Sequence, residues 1–341
     1  MRRLFSRTFS LFTMLGLLLM FGSSTALAQY KLVKLVSNQA GKAAHQDTLL
    51  VNAWGITYGP TGPFWISDAG NGWSTTYNGS GVAQSVKITI PSAGTGPGSP
   101  TGIVYNGSQE FQIDGWASVF LFDTLDGTIS GWSPFSPKAA LIAVNNSASG
   151  AVYTGLAITN KPSGNFLYAA DTVNNKVDVY DGTFSLVTSF TDPALPTGFT
   201  PLGIQDISGQ VYVAFGDLAG GSGGFIDVFS EAGVFVKHLI HGKPLNQPWG
   251  IAMAPRNFGT LSNTLLIANN TNSGTINGFD PTSGKLVGTV TDASNKPIKI
   301  DQLWGIVFGG GSALNGKTKQ LFFTAGPNDN LNGIFGAIEA Q

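Results

Sequence analysis

The sequence contains no cysteine, few charged residues and hardly any arginine. None of its 341 residues is a cysteine, so no disulfide can form and stability must come from burial and backbone hydrogen bonds. Charged residues make up 11% of the chain, against roughly a quarter in typical soluble domains. Arg256 is the only arginine beyond residue 7. Because proteins that hold phosphates use several arginines for bidentate contacts, we expect no nucleic-acid partner.

The first 28 residues have the features of a secretory signal peptide. Three arginines precede the apolar run LFTMLGLLLMFG, which is too short to span a bilayer, and the small residues ALA at 26–28 offer a cleavage site. We therefore expect cleavage near Ala28 and a secreted or periplasmic protein that begins at Gln29. The dipeptide Arg-Arg also fits twin-arginine export, so both export routes stay open. No second apolar run of membrane length follows, and we expect no membrane anchor.

Glycine is abundant, with 46 residues, and six of these glycines mark an internal repeat. An aliphatic residue follows each of the six, and a tryptophan precedes three of them. The repeated segments are AWGIT, PTGIV, YTGLA, PLGIQ, PWGIA and LWGIV, with the glycines at Gly55, Gly102, Gly155, Gly203, Gly250 and Gly305. The spacing is close to fifty residues, which is typical of the blades of a β-propeller.

Each repeat contains apolar runs with the composition of strands. After the glycine come runs such as FWISD and LLIANN, then a further run such as KVDVYD, and five repeats close with a fourth run such as LVTSF. β-Branched and aromatic runs bounded by Gly, Asn, Asp and Pro are typical of strands, and helical periodicity is missing. Six repeats of four strands predict an all-β fold: a six-bladed β-propeller formed by residues 29–341 as a single domain.

The sixth repeat is one strand short. It stops after its third run, whereas a spare run, YKLVKLV at 30–36, precedes the first repeat. We predict that this N-terminal strand is the outer strand of the last blade, because closing the ring in this way removes an open edge between the first and last blades.

The repeat pattern resembles that of NHL-repeat propellers, most clearly over residues 153–182 and 248–281. The chain after the leader is also similar to an uncharacterised family of secreted bacterial six-bladed propellers. The strings that carry this resemblance are NAWGI, FWISDAGNGWSTTYNGSG, TDPALPTGFTPLGIQDISGQVYV, PLNQPWGIAMAP and LFFTAGPNDNLNGIFGAI. The resemblance implies the propeller fold and no established activity.

The residue before each blade glycine is expected at the rim of the central channel. Three of the six rim residues are Trp54, Trp249 and Trp304, and their blades become neighbours when the ring closes. Two interpretations follow. The indoles could form an arc that stacks on a sugar or another flat ligand. Alternatively, each indole could wedge between adjacent inner strands and hold the blades together.

Polar residues are expected at the same end of the channel. Three of them precede inner strands and three end second strands: Asn52, Gln247 and Asp301, and Asp68, Asp171 and Asn269. Their oxygens could hold Ca²⁺, but Asx side chains at turns commonly bond their own backbone instead. The calcium-loop pattern D-x-D-x-D-G does not occur. We therefore expect no metal or other cofactor, with calcium as an alternative that no motif supports.

The residue inventory favours binding over catalysis. Regucalcin-like gluconolactonases use a glutamate near the channel, and none of Glu110, Glu231 and Glu339 is at a rim position. Sialidase-type propellers need an arginine cluster, which this chain lacks. We predict a secreted, monomeric, non-catalytic propeller that binds or scaffolds a small molecule, glycan or protein. The alternative is a lactonase or other hydrolase that depends on a divalent ion, with Asp301 and either Asp68 or Asp171 in acid–base roles.

Overall fold

The computed structural model describes residues 29–136 and 138–341, and this part of the chain is nearly all β. The predicted signal peptide, residues 1–28, lies outside the described residues. Two short 3-10 helices occur, at Ser147–Ser149 and Gly259–Leu261. Within the described ranges, no helix is long and apolar enough to cross a bilayer.

Six antiparallel sheets form the six blades of a β-propeller, as the repeat predicted. Counted from the axis outwards, blade 1 consists of Ala53–Tyr58, Phe64–Asp68, Trp73–Tyr77 and Ile88–Thr89; blade 2 of Pro100–Tyr105, Phe120–Thr124, Thr128–Trp132 and Leu141–Asn145; and blade 3 of Tyr153–Ile158, Phe166–Asp171, Lys176–Asp181 and Leu186–Phe190. Blade 4 consists of Phe199–Ile207, Gln210–Asp217, Phe225–Ser230 and Phe235–His241; blade 5 of Pro248–Met253, Leu265–Asn269, Ile276–Phe279 and Leu286–Thr289; and blade 6 of Leu303–Phe308, Gln320–Ala325, Ile334–Ala340 and Tyr30–Ser37.

The N-terminal strand closes the ring, which confirms the predicted closure. Tyr30–Ser37 runs antiparallel to Ile334–Ala340 and is the outer strand of blade 6. A two-residue strand, His45–Gln46, pairs parallel to it on the outside. The Tyr30 hydroxyl donates to the Phe258 carbonyl at 3.0 Å, so the first described strand also contacts blade 5.

The hydrophobic core lies between neighbouring blades. Phe64 in the second strand of blade 1 packs against Phe322 of blade 6, with ring centroids 4.3 Å apart. The next residue, Trp65, stacks on Phe120 of blade 2, also at 4.3 Å. Successive side chains of a strand point to opposite faces of the sheet. One strand therefore supplies two interfaces, and this explains why the second strands read as continuous apolar runs.

The six blade glycines allow the inner strands to approach one another at the axis. A Cβ atom at Gly203 would lie 2.0 Å from the Trp249 carbonyl oxygen, and one at Gly250 would lie 2.6 Å from the Trp304 carbonyl oxygen. At each of the other four blade glycines, an added Cβ atom would likewise lie less than 3.0 Å from a backbone atom of the next blade. The repeated glycine is thus a requirement of close backbone packing.

Two details differ from the sequence-based expectation. The run VKITI at 86–90 forms an outer strand of only two residues, Ile88–Thr89, since Pro91 follows shortly after and Pro97 bridges back to it. An unpredicted hairpin, Gln112–Ile113 with Trp116–Ala117, extends the connection between the inner and second strands of blade 2.

Candidate functional site

The three rim tryptophans meet at one end of the channel. The rings of Trp54 and Trp304 stack with centroids 3.5 Å apart and 13° between their planes. Trp249 contacts both rings edge-on, at 5.3 Å from Trp54 and 4.6 Å from Trp304. We call these three side chains the indole cluster. Trp54 and Trp249 line the channel at this end with aromatic surface.

Two of the three indoles are buried. Trp54 is 7% exposed and Trp304 is 4% exposed, whereas Trp249 is partly exposed. The Trp304 Nε1 group donates to Asn52 Oδ1 at 3.0 Å, and Trp249 Nε1 donates across the channel to the carbonyl of Thr154 in blade 3 at 3.3 Å. Burial and internal hydrogen bonds are what the packing interpretation predicts. Ligand binding by these rings stays a prediction.

The predicted polar residues Asn52 and Gln247 have a backbone role. Both lie three positions before a blade glycine and have positive φ angles, 49° and 50°, and so does Gln302, at 49°. The three blades that contain a rim tryptophan therefore share a left-handed residue at the same position. The Gln247 side chain also donates to the Asp217 carbonyl at 2.6 Å. These amides are engaged within the protein.

The second-strand residues at the same end take different roles in equivalent positions. Asp171 Oδ1 accepts from the Val152 backbone N–H at 3.1 Å, and Asn269 Oδ1 accepts from that of Asn246 at 3.0 Å. Each thus caps the segment before the inner strand of its own blade. Asp68 has the corresponding place in blade 1, but its buried carboxylate accepts no hydrogen bond from the described residues. Burial raises the pKa of Asp68 well above its usual value.

The candidate carboxylates do not converge. Asp301 is partly exposed and accepts a hydrogen bond from the Asn328 backbone N–H at 3.0 Å. Within the part of the chain that the structure describes, Asp68, Asp171 and Asp301 do not form a cluster of three carboxylates with oxygens all within 4.8 Å of one another. Their arrangement is therefore that of separate capping or buried groups. A metal-binding or acid–base role for these residues stays a prediction.

The channel widens away from the indole cluster. Beside the cluster it encloses about 70 Å³, which is room for about two water molecules. The aliphatic residues that follow the blade glycines form a collar around the axis. They are Ile56, Ile103, Leu156, Ile204, Ile251 and Ile306. Beyond this collar the channel opens into a cavity of about 410 Å³ at the opposite end, which we call the far mouth.

The far mouth combines aromatic and polar side chains. Six residues supply most of this character: Thr57, Tyr58, Tyr105, Asn160, Gln205 and Asp206. Asn160 and Gln205 are exposed, while Asp206 is partly buried and its Oδ2 atom accepts no hydrogen bond from the described residues. Burial, reinforced by the nearby Glu231 carboxylate, raises the pKa of Asp206. Among the described residues that line this cavity, none is a lysine or an arginine.

Sequence comparison finds viral relatives. Two uncharacterized proteins of Acanthamoeba polyphaga mimivirus are each 29% identical over 93% of this chain, and the aligned regions cover 82% and 88% of their lengths. A third is 33% identical over 69% of this chain and 47% of its own length. No protein-family model matches the chain. The bacterial origin implied by the resemblance in sequence is not supported by these relatives, and their names assign no activity.

Comparison with solved structures finds other propellers at low identity. They include a Bacteroides thetaiotaomicron protein of unknown function with a TM-score of 0.58, 12% identity, and coverage of 92% of this chain and 76% of that one. Kuenenia stuttgartiensis hydrazine synthase gives 0.55 at 13% identity, with coverage of 84% and 77%. Staphylococcus aureus virginiamycin B lyase gives 0.51 at 12% identity, with coverage of 91% and 99%. At such identities the likeness shows the fold alone, and the names show that this fold serves different functions.

Proposed function

We propose that the protein is a non-catalytic, ligand-binding propeller that takes a small, neutral, hydroxyl-rich molecule such as a sugar in the far mouth. The cavity of about 410 Å³ carries this proposal, because ligand sites are typically clefts of roughly 300–1,000 Å³. At the other end of the channel, the space next to the indole cluster is only about 70 Å³. The far mouth is the end at which the channel has room for an organic ligand.

The lining of the far mouth supports a neutral ligand. Tyr58 and Tyr105 offer ring surface for the apolar face of a sugar. Asn160 and Gln205 supply amide donors and acceptors, and Asp206 adds carboxylate oxygens. Because no basic residue is among the described residues that line the cavity, the lining itself offers no cation to pair with a phosphate or carboxylate group.

The same lining favours binding over hydrolysis. Glycoside hydrolases use a pair of carboxyl groups on either side of the bond that breaks. Of the described residues that line the far mouth, Asp206 is the only acidic one. The Glu231 carboxylate lies near enough to raise the pKa of Asp206 but does not line the cavity. A sugar held there would therefore contact one carboxyl group, which suits a hydrogen bond to a hydroxyl better than a two-group acid–base reaction.

We also propose that the protein acts outside the cytoplasm. The arginines, short apolar run and small residues of 1–28 support this, and so does a composition without cysteine, which tolerates an oxidising compartment. Expression in a bacterial host should give an exported protein whose N-terminal sequence begins at Gln29. A cytoplasmic product that retains residues 1–28 would contradict the proposal.

The binding proposal is tested with a glycan array of neutral oligosaccharides, followed by melting-temperature shifts with the free sugars that bind. Gln205→Arg places a long cation in the far mouth, and we expect it to abolish both signals. Gln39→Arg is the matched control, since Gln39 is also an exposed glutamine but lies outside the cavity. Absence of binding to any neutral sugar, or equal binding by the two variants, would show that the far mouth is not a sugar site.

A further inference from the structure

Two carboxylates and an imidazole meet at the outer edge between blades 3 and 4. Asp227 lies in the third strand of blade 4, and His238 is its cross-strand partner in the outer strand. Asp192 follows the outer strand of blade 3. One potential ligand atom from each of the three residues lies within 4.8 Å of the other two, and no other such group of acidic, histidine or cysteine residues occurs in the described ranges.

The carboxylates are buried while the imidazole reaches solvent. The side chains of Asp192 and Asp227 are 4% and 0% exposed, and that of His238 is 38% exposed. His238 Nδ1 lies 2.9 Å from Asp227 Oδ1 and 3.2 Å from Asp192 Oδ2. The two carboxylates therefore lie on the inner side of the cluster, and solvent reaches it past the His238 ring.

The two buried carboxylates have fewer hydrogen-bond and charge partners than two buried negative charges need. Asp192 Oδ2 points towards the imidazole, yet neither it nor Asp227 Oδ2 has a hydrogen-bond partner among the described residues. Within those residues, His238 is the only basic side chain within 4 Å of either carboxylate. Burying a charge is costly unless it is paired or coordinates a metal. A protonated His238 would offset only one of the two negative charges.

We propose that Asp192, Asp227 and His238 bind a zinc ion. Imidazole nitrogen and carboxylate oxygen are both zinc ligands, at about 2.0–2.2 Å, and ligand atoms around a tetrahedral zinc are then about 3.4 Å apart. The observed separations of 2.9 and 3.2 Å from His238 Nδ1 are close to that value. Two carboxylates and a neutral imidazole balance the charge of the ion. Three protein ligands and the solvent-facing side leave a fourth position for water.

The site is separate from the far mouth. None of its residues lines that cavity, so zinc binding and sugar binding can succeed or fail independently. The position between the edges of two blades indicates a stabilising role, in which the ion joins Asp192 of blade 3 to Asp227 and His238 of blade 4. Binding of an ion to the folded state alone raises the melting temperature by mass action.

The test uses the full protein after treatment with EDTA. Equilibrium dialysis against zinc chloride, with metal quantification, should give one zinc per chain, and zinc should raise the melting temperature. His238→Gln and Asp227→Asn should each weaken zinc binding by more than about 100-fold, since loss of an outer-shell partner alone costs 10–100-fold. His241→Gln is the matched control, because His241 is exposed in the same outer strand and lies outside the cluster.

The outcomes are decisive in either direction. Unchanged zinc binding by His241→Gln together with its loss in His238→Gln would support the site. Failure of the wild-type protein to take up zinc at micromolar concentration would overturn it, and so would equal loss in both histidine variants, which would place the ion on exposed imidazoles. If Asp227→Asn does not fold, His238→Gln still decides, because His238 lies at the surface.

Discussion

Single side chains at the axis can be tested for a structural role, and Trp304 is the clearest case. It is 4% exposed, stacks on Trp54 and donates to Asn52. We expect Trp304→Ala to lower the free energy of unfolding by about 3–5 kcal/mol, as for other buried tryptophans. Denaturation in urea measures this change.

The control is a tryptophan at the surface. Trp116 is 50% exposed and stacks on the exposed Phe135. We expect Trp116→Ala to change stability by less than about 1 kcal/mol, close to the range of ordinary surface substitutions. Equal effects of the two alanine variants would argue against a packing role for the indole cluster.

Asp123 predicts a pH dependence of stability. Burial raises its pKa to about 6, although it accepts hydrogen bonds from the Thr101 hydroxyl and the Gly102 N–H. Because the folded-state pKa lies above the unfolded value, the stabilising contribution is complete below about pH 4 and is lost as the pH rises to about 6. A shift from 3.8 to about 6 corresponds to roughly 3 kcal/mol.

Asp123→Asn should remove this dependence, since the amide stays neutral and its oxygen can still accept both hydrogen bonds. Urea denaturation at pH 4, 6 and 8 should show that the variant gains stability relative to wild type as the pH rises. Asp114→Asn, at an exposed position, should show a constant difference. A variant of Asp123 that is equally destabilised at all three pH values would contradict the assignment.

The position of a residue in the repeat predicted its place in the fold. It was a poorer guide to the contacts of its side chain. The place of Trp54, Trp249 and Trp304 before a blade glycine was enough to bring them together. Their contacts were not predictable, because they depend on rotamers such as the one that directs Trp249 across the channel to blade 3. The cluster of Asp192, Asp227 and His238 has no short sequence motif, since its members belong to two blades and meet only through strand register.

At the scale of strands, the closure of blade 6 makes a strong prediction. Deletion of residues 29–37 removes the outer strand and the buried side chains of Tyr30, Leu35 and Val36. At about 1.5–3 kcal/mol for each buried side chain, the loss should be on the order of 5 kcal/mol or more. Differential scanning calorimetry should show a lower melting temperature and loss of the single cooperative transition.

A peptide control separates closure from a general effect of truncation. A synthetic peptide with the sequence of residues 29–37 should restore the transition of the truncated protein, and a scrambled peptide should not. Unchanged melting of the truncated protein would mean that Tyr30–Ser37 does not stabilise blade 6.

The strands were predictable because local composition determines them. The backbone conformation of the loops at the rim was not predictable. The run FWISD matches the strand Phe64–Asp68 residue for residue. By contrast, Asn328, Asp329 and Asn330 all have positive φ angles, between 52° and 66°, and form a left-handed turn. Asn and Asp tolerate this region better than other non-glycine residues. Composition indicated a turn there, but it did not indicate its handedness.

For the whole molecule, the sixfold repeat predicted the ring, but it did not predict the shape of the channel. The residues after each glycine are alike and form the aliphatic collar, so the narrow part follows the repeat. The far mouth depends on residues that differ between blades, such as Tyr105 in blade 2 and Gln205 in blade 4. Asymmetry of this kind leaves no periodic signal, and the cavity was therefore missed.

Closure of the ring at the axis can be tested with one methyl group. A Cβ at Gly250 would lie 2.6 Å from the Trp304 carbonyl oxygen and 3.0 Å from the Ile306 side chain. Neither backbone can withdraw without moving a blade, so Gly250→Ala should lower the free energy of unfolding by at least the 1–3 kcal/mol typical of overpacking.

Gly94→Ala is the control, because a Cβ at Gly94 meets nothing within 4 Å and its φ is not in the left-handed region. Alanine restricts the unfolded chain at both positions, so this effect is the same in the two variants. Urea denaturation should therefore show a large loss of stability for Gly250→Ala and none for Gly94→Ala. If the two variants were equally stable, blades 5 and 6 would have to be free to separate at the axis, and the inner strands would not be the contacts that hold the propeller closed.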